Sequence, residues 1–342
     1  MNAVTTSNPP FPAAGAAAVV PVCYELTDLG ELSDGVPLLT VALNDAGDVA
    51  VYGHPPERQA KHWNVRGFLR QGARLVEQGT ALGGVPVSGL SRHGLLCGQE
   101  RVAGGPLRAW AQHLGGIGAA HWPDVESCAV AVNERGDVAG HVAFEAEGRV
   151  RRRVFLVNAR NEAAFLPAAH GSGTCAIALN DEGTVLYNTN CGPFEINSQA
   201  MLWRAGVSRT IPGLPGGVGI WGTALTASGG VAGRLLTATG AIRAFWHEQG
   251  RTYDLNPGPG HQSEALAAAD TRTVVGRMLA PEGRRRAFRW TPTDGLRELG
   301  SLVRAAAGWE LQKAVAVNAP GLIAGVGLRN GSLRGFLLTP AD

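Results

Sequence analysis

Charge, aromatic residues and paired cysteines are all scarce in this chain of 342 residues. Only 17% of it is charged, and 30 basic residues against 28 acidic leave a formal charge of +2, too little to draw a polyanion onto the surface. Nucleic acid is therefore not an expected partner. Long apolar runs are missing too: "AAGAAAVVPV" (Ala13 to Val22) is too short to span a bilayer. With the first basic residue at Arg58, it also lacks the positive flank of an export signal. No membrane partner is expected, residues 1–22 read as a flexible Pro/Ala tail, and the cytoplasm is the default compartment. Five cysteines (Cys23, Cys97, Cys128, Cys175, Cys191) at irregular spacing without a CxxC argue against a disulfide framework or a zinc knuckle. Nucleophile elbows, Walker loops and dinucleotide fingerprints are absent, so no cofactor is expected. "GGIG" (Gly115 to Gly118) and "PGGVG" (Pro215 to Gly219) read as inter-blade turns with no following helix to hold a phosphate.

What is abundant is glycine, 48 residues with no collagen period, which points to many tight turns. They belong to a repeat. "ALNDAGDVAVYG" at Ala42 returns as "GLSRHGLLCG", "AVNERGDVAG", "ALNDEGTVLY", "ALTASGGVAG", "ALAAADTRTVVG" and "AVNAPGLIAG". The turn positions are Gly47, Gly94, Gly136, Gly183, Gly229, Arg272 and Gly321, in steps of 47, 42, 47, 46, 43 and 49 residues. That period fits a four-stranded propeller blade. Each copy continues into an aromatic strand, such as "RAFW" (Arg243) or "RGFL" (Arg334), and a short strand such as "LRELGSL" (Leu296). The seventh copy stops one strand short, and "YELTDLGEL" (Tyr24 to Leu32) matches the missing piece. The expected fold is all-β: one seven-bladed β-propeller over 23–340, its last blade closed by an N-terminal strand that buries Tyr24, Leu26, Leu29 and Leu32.

The tandem pattern A-[IL]-N-x-x-G-x-V-x-G, R-A-F-x-W, D-L-G resembles the HAF-repeat family of bacterial proteins over about residues 23 to 340. The resemblance implies a β-propeller and says almost nothing about chemistry. Many relatives carry an export signal that this chain does not show.

Residues that recur in every copy serve the blade; those that break the pattern are free for a ligand. The Asn-x-x-Gly unit of Asn44, Asn133, Asn180 and Asn318 is expected to close an Asx turn, since copies such as "ALTASG" offer too few oxygens for calcium. An arginine before the aromatic, in six blades of seven, is expected to pair with a carbonyl or carboxylate between neighbouring blades rather than to bind a polyanion.

Propeller topology puts the inter-blade loops and the loops between second and third strands on one mouth of the channel, opposite the Asn-x-x-Gly turns. Seven of nine histidines, His113 and His121 among them, are assigned to that mouth. Just past the second strand the copies read His54, Gln99, His141, Asn188, Arg234, Arg277 and Val326, a polar rim suited to an anionic or hydrogen-bonding small molecule. Five residues before the turn asparagine or its equivalent stand Cys128, Cys175, Trp221, Glu264 and Lys313. Cys175 and Cys191 leave a disulfide or a Cys/His metal site open, but no His-x-His or paired-Cys signature supports a metal, and none is expected.

The leading reading is a binding module that takes a small polar or anionic ligand, or a protein partner, at this mouth, with Gln99, His141, Asn188, Arg234, Arg277 and Trp221 as contacts. The alternative is a lyase, cyclase, isomerase or hydrolase type of enzyme, with His54 or His170 and Glu264 as acid and base and the two arginines clamping an anion. A purely structural scaffold is the third.

Overall fold

The computed structural model describes residues 22–341, apart from 33–34, 54–65, 81–82, 85–86, 118–120, 147, 168–172, 192–195, 257 and 259. It is a seven-bladed β-propeller of seven antiparallel sheets. The inner strands are Leu38–Leu43, Val87–Leu90, Ser127–Val132, Thr174–Leu179, Gly217–Leu225, Gln262–Ala269 and Trp309–Val317. Each lies against the inner strand of the next blade, and the seventh returns to the first. Six sheets run outward in chain order. The first carries a fifth short strand, Gly83–Gly84, and Gly115–Gly116 is the outer strand of the second blade rather than a loop.

The seventh sheet is completed from the other end of the chain. Its outer strand is Tyr24–Asp28, antiparallel to Ser332–Pro340 with Tyr24 opposite Pro340 and Asp28 opposite Phe336. Tyr24 and Leu29 are buried at 2% and 4% exposure, while Leu26 and Leu32 pack only partly. At about 1.5–3 kcal/mol per fully buried side chain, the first two hold the closure, helped by Asp28 on Arg329 at 2.6 Å and Glu31 on Arg334 at 2.6 Å. Val22, assigned from sequence to the tail, packs against this core; the rest of the tail lies outside the described residues.

The Asn-x-x-Gly turns gather on one face. Asn44 Oδ1 accepts the Asp48 amide at 2.8 Å, and Asn133 and Asn180 do the same for Asp137 and Thr184. Their side-chain NH₂ groups reach the next blade: Asn133 to the Asn180 carbonyl, Asn180 to Thr226, and Asn318 across the closure to Asn44. The following acid caps a neighbouring turn, as Asp45 accepts from Ala319 N and Asp181 from Glu134 N. Asp45 and Asp48 of the first copy are thus hydrogen-bonding parts of the scaffold. In the sixth copy Arg272 takes the place of glycine and adopts the same left-handed conformation, φ +57, while its side chain holds Glu248 at 2.9 Å.

Candidate functional site

The described rim residues expected just past the second strand lie within it, because that strand runs on toward the mouth, and five of them are register partners of the residues five before the turn asparagine or its equivalent. Cys128 lies opposite His141, Cys175 opposite Asn188, Trp221 opposite Arg234, Glu264 opposite Arg277, and Lys313 opposite Val326. The glycine before the rim residue lets the third strand's phenylalanine cross the sheet: a β-carbon on Gly276 would overlap the Glu264 carbonyl and press on Phe288. The same Gly–Phe arrangement, Gly233 with Phe245, holds Arg234 against Trp221.

Three charged residues of this set, Arg234, Glu264 and Arg277, meet across blades five and six, with Trp221 beside them and Lys313 of blade seven as a fourth charged group nearby. Glu264, 8% exposed, receives Arg234 Nη1 from the preceding blade on Oε1 at 2.7 Å, and Arg277 Nε and Nη2 on Oε2 at 2.7 Å each. The Arg234 guanidinium stands over the Trp221 ring at 5.3 Å. The fourth is Lys313, whose pKa is pushed down by burial and by Arg277, with Glu264 opposing. Two arginines therefore share one carboxylate, with Lys313 close enough to feel both charges. Both arginine side chains keep solvent access, 35% for Arg234 and 42% for Arg277. A cleft of about 190 Å³ opens beside Arg277 and Glu264, lined also by Gln262, Ser263, Met278 and Arg285 among others. A larger groove of about 650 Å³ follows Asn190, Asn197 and Pro212 to Ile220, but none of its lining side chains is ionisable.

The other rim residues are held differently. Asn188, 4% exposed, donates to the Gly222 carbonyl and accepts from the Gly222 amide, both at 2.9 Å, so its amide clamps the fourth blade to the fifth. Gln99 likewise donates to the Ser127 carbonyl at 3.0 Å. His141 is kept neutral: burial first, then Arg152, brings its pKa down to about 4, and its Nδ1 is buried without a hydrogen bond. Arg152, on the third strand of the same blade, also acts on Cys128 and on Cys175 of the fourth blade.

His54 and His170 lie outside the described residues. His113 and His121 belong elsewhere than the mouth: His113 bonds the Gly136 carbonyl at 2.9 Å on the Asn-x-x-Gly face, and His121 meets Asn161 at 3.2 Å in a turn between third and fourth strands. Their loop opens with the outer strand of the second blade, which displaces both. In three of its six blades the recurrent arginine is paired, but with a carboxylate at the edge of its own blade: Arg243 with Asp254, Arg286 with Glu298 at 3.1 Å, Arg334 with Glu31 at 2.6 Å. The adjacent outer strand supplies Asp254 and Glu298, and Glu31 lies three residues past the end of its outer strand.

One functional candidate escaped the sequence reading, and another was placed without a role. Lys313 was marked as the seventh-blade equivalent of Glu264 but not counted among the ligand contacts. Arg152 sits in the run Arg151–Arg153, where strand alternation alone separates it from its neighbours.

No protein-family model matches the chain, and neither does any curated protein. Solved structures share its fold. The β-propeller domain of the Trilobed protease from Pyrococcus furiosus matches with TM-score 0.54 and 8% identity, over 92% of this chain and 93% of that one. The acylaminoacyl peptidase of Pyrococcus horikoshii matches with TM-score 0.56 and 8% identity over 89% of this chain, which spans 52% of the peptidase. These likenesses establish the propeller and no activity. The protease propeller is described as an open velcro; here the N-terminal strand completes the seventh sheet.

Proposed function

We propose that this propeller is a binding module for a small polyvalent anion, a carboxylate or phosphate compound, held at the channel mouth by Arg234, Arg277 and Lys313. The observation that carries the reading is the excess of positive charge among the described residues: two arginines held on the one carboxylate of Glu264, with Lys313 within electrostatic reach of both. Glu264 orients the guanidinium groups, since both its oxygens already accept from them, and it is poorly placed to exchange protons with a substrate. Trp221 offers an apolar wall next to the cations. An anion arriving here relieves the repulsion between Lys313 and Arg277, which favours binding.

Calorimetric titration with citrate and with inorganic phosphate tests this. At least one should bind at low ionic strength and weaken with added salt, and Arg277→Gln should lower affinity about tenfold, the scale of one charge-assisted hydrogen bond. Because the Lys313 pKa is lowered, affinity should fall with rising pH sooner than for an ordinary lysine. Millimolar citrate and phosphate both failing to bind, or binding untouched by Arg277→Gln, would remove the basis of the reading.

A further inference from the structure

Away from the arginine cluster, on the fourth blade, two thiols face one another. Cys175 is on the inner strand, directly opposite Asn188. Beyond Asn188 the chain turns back through Asn190, a non-glycine residue at φ +51 whose side chain donates to Asn197. That turn returns Cys191 to the sheet: its thiol lies 3.0 Å from the Asn188 carbonyl and also hydrogen-bonds Cys175. The single Cys191 proton is shared between a carbonyl and a sulfur.

The Arg152 guanidinium hydrogen-bonds Cys175 from the third blade. It is brought in where the chain before Cys175 passes against the Arg152 backbone: a β-carbon on Gly173 would stand 2.7 Å from the Arg152 amide nitrogen. His141, held neutral, adds no second cation. Of the other cysteines, Cys97 is fully buried, and burial pushes the Cys128 thiol up to about 11.

We propose that Cys175 and Cys191 form a peroxide-oxidisable dithiol, with Cys175 as the attacking thiolate, Cys191 as the resolving thiol and Arg152 as the positioning cation. The Cys191 hydrogen bond, against the opposing effect of burial, and then Arg152 lower the Cys175 pKa, while that same bond and burial raise that of Cys191. One sulfur is thereby set up as nucleophile and the other as proton holder. The oxidant is a hydroperoxide. Cys175 thiolate attacks one peroxide oxygen; the S–O bond forms as the O–O bond breaks, and hydroxide leaves. Cys191 sulfur then displaces the hydroxyl from the sulfenic acid of Cys175. The S–S bond forms, the S–O bond breaks, and the departing hydroxide takes the Cys191 proton as water. Sulfur loses two electrons in all and peroxide gains them.

The test uses the intact, reduced chain. Timed alkylation with iodoacetamide at neutral pH, read by peptide mass spectrometry, should label Cys175 about tenfold faster than Cys23, and one equivalent of hydrogen peroxide should join the Cys175 and Cys191 peptides with loss of two hydrogens. In Cys191→Ser, peroxide should leave a sulfenic acid on Cys175 that dimedone traps. In Arg152→Gln, disulfide formation should slow several-fold while Cys23 labelling stays constant. Labelling of Cys175 no faster than Cys23, or peroxide oxidising Cys23 or Cys128 in preference, would overturn the proposal, and both readings come from the unmutated protein.

Discussion

The two faces of the ring are built by opposite rules. On the turn face, four blades use an asparagine to close their own hairpin, three of these asparagines also hold the neighbouring blade, and an acid beside the turn caps a neighbour. At the mouth, the equivalent pairs are Cys–His, Cys–Asn, Trp–Arg, Glu–Arg and Lys–Val, with no two alike. The turn face repeats because its asparagines answer backbone groups that every blade possesses. The mouth varies because its side chains answer one another, and an inner strand keeps its place through backbone pairing whatever residue it shows to the channel.

The sharpest way to break this contrast is to open the ring. Removing residues 1–32 strips the seventh sheet of its outer strand and exposes an unpaired edge, and the product should be aggregated or unfolded by size-exclusion chromatography and calorimetry. A monomeric truncation with a cooperative melt would show that neither face needs closure. Next, Asn180→Ala removes a buried side chain that serves two blades and should cost about 3–4 kcal/mol in urea unfolding. Asn158→Ala, in a turn of the same shape at the outer edge, should cost about 1 kcal/mol. Equal losses would mean that the inter-blade bonds add nothing to the turn itself.

His141 sharpens the comparison through pH. Its folded pKa of about 4 lies below the 6.5 of the unfolded chain, so the unfolded chain takes up the proton first as pH falls. The stability held by neutral His141 is complete above 6.5 and is lost as pH drops toward 4, about 3 kcal/mol in all. In His141→Phe that slope of unfolding free energy against pH should flatten. Glu264→Gln should cost about 1–3 kcal/mol of stability, since a buried carboxylate holding two arginines is lost, yet raise citrate or phosphate affinity several-fold by removing the competing carboxylate. Smallest of all, Arg272→Gly should raise stability by about 0.5–1 kcal/mol, the relief of a left-handed arginine exceeding the loss of its exposed ion pair with Glu248.

The repeat made the architecture legible, down to the strand borrowed from the N-terminus, because a blade of fixed length prints its turn once per period. Even Arg272 could be placed, since its neighbours kept the spacing. The convergence of Arg234, Glu264 and Arg277 was legible in part. Their equivalent positions marked them, but the reach of Glu264 to the preceding blade depends on blade rotation, which no linear period encodes. His113 and His121 went to the wrong face because the length of an outer strand is set by packing against the next blade, not by its own sequence. Arg152 carried no signal beyond parity in a strand.

The velcro strand also determines how the molecule bears load. Tyr24 pairs with Pro340, and just beyond them the Ala341 amide bonds the Cys23 carbonyl at 2.8 Å, so the two ends of the ring leave side by side from one end of a single antiparallel pair. Tension applied between residues 23 and 341 acts across the rungs of that pair rather than along them, stressing one hydrogen bond at a time. The closure should therefore unzip at low force while the other six blades stay intact, whereas tension between two inner strands would meet many bonds in parallel. Seen mechanically, the ring is a clasp, firm against thermal opening and weak at the one seam where its ends meet.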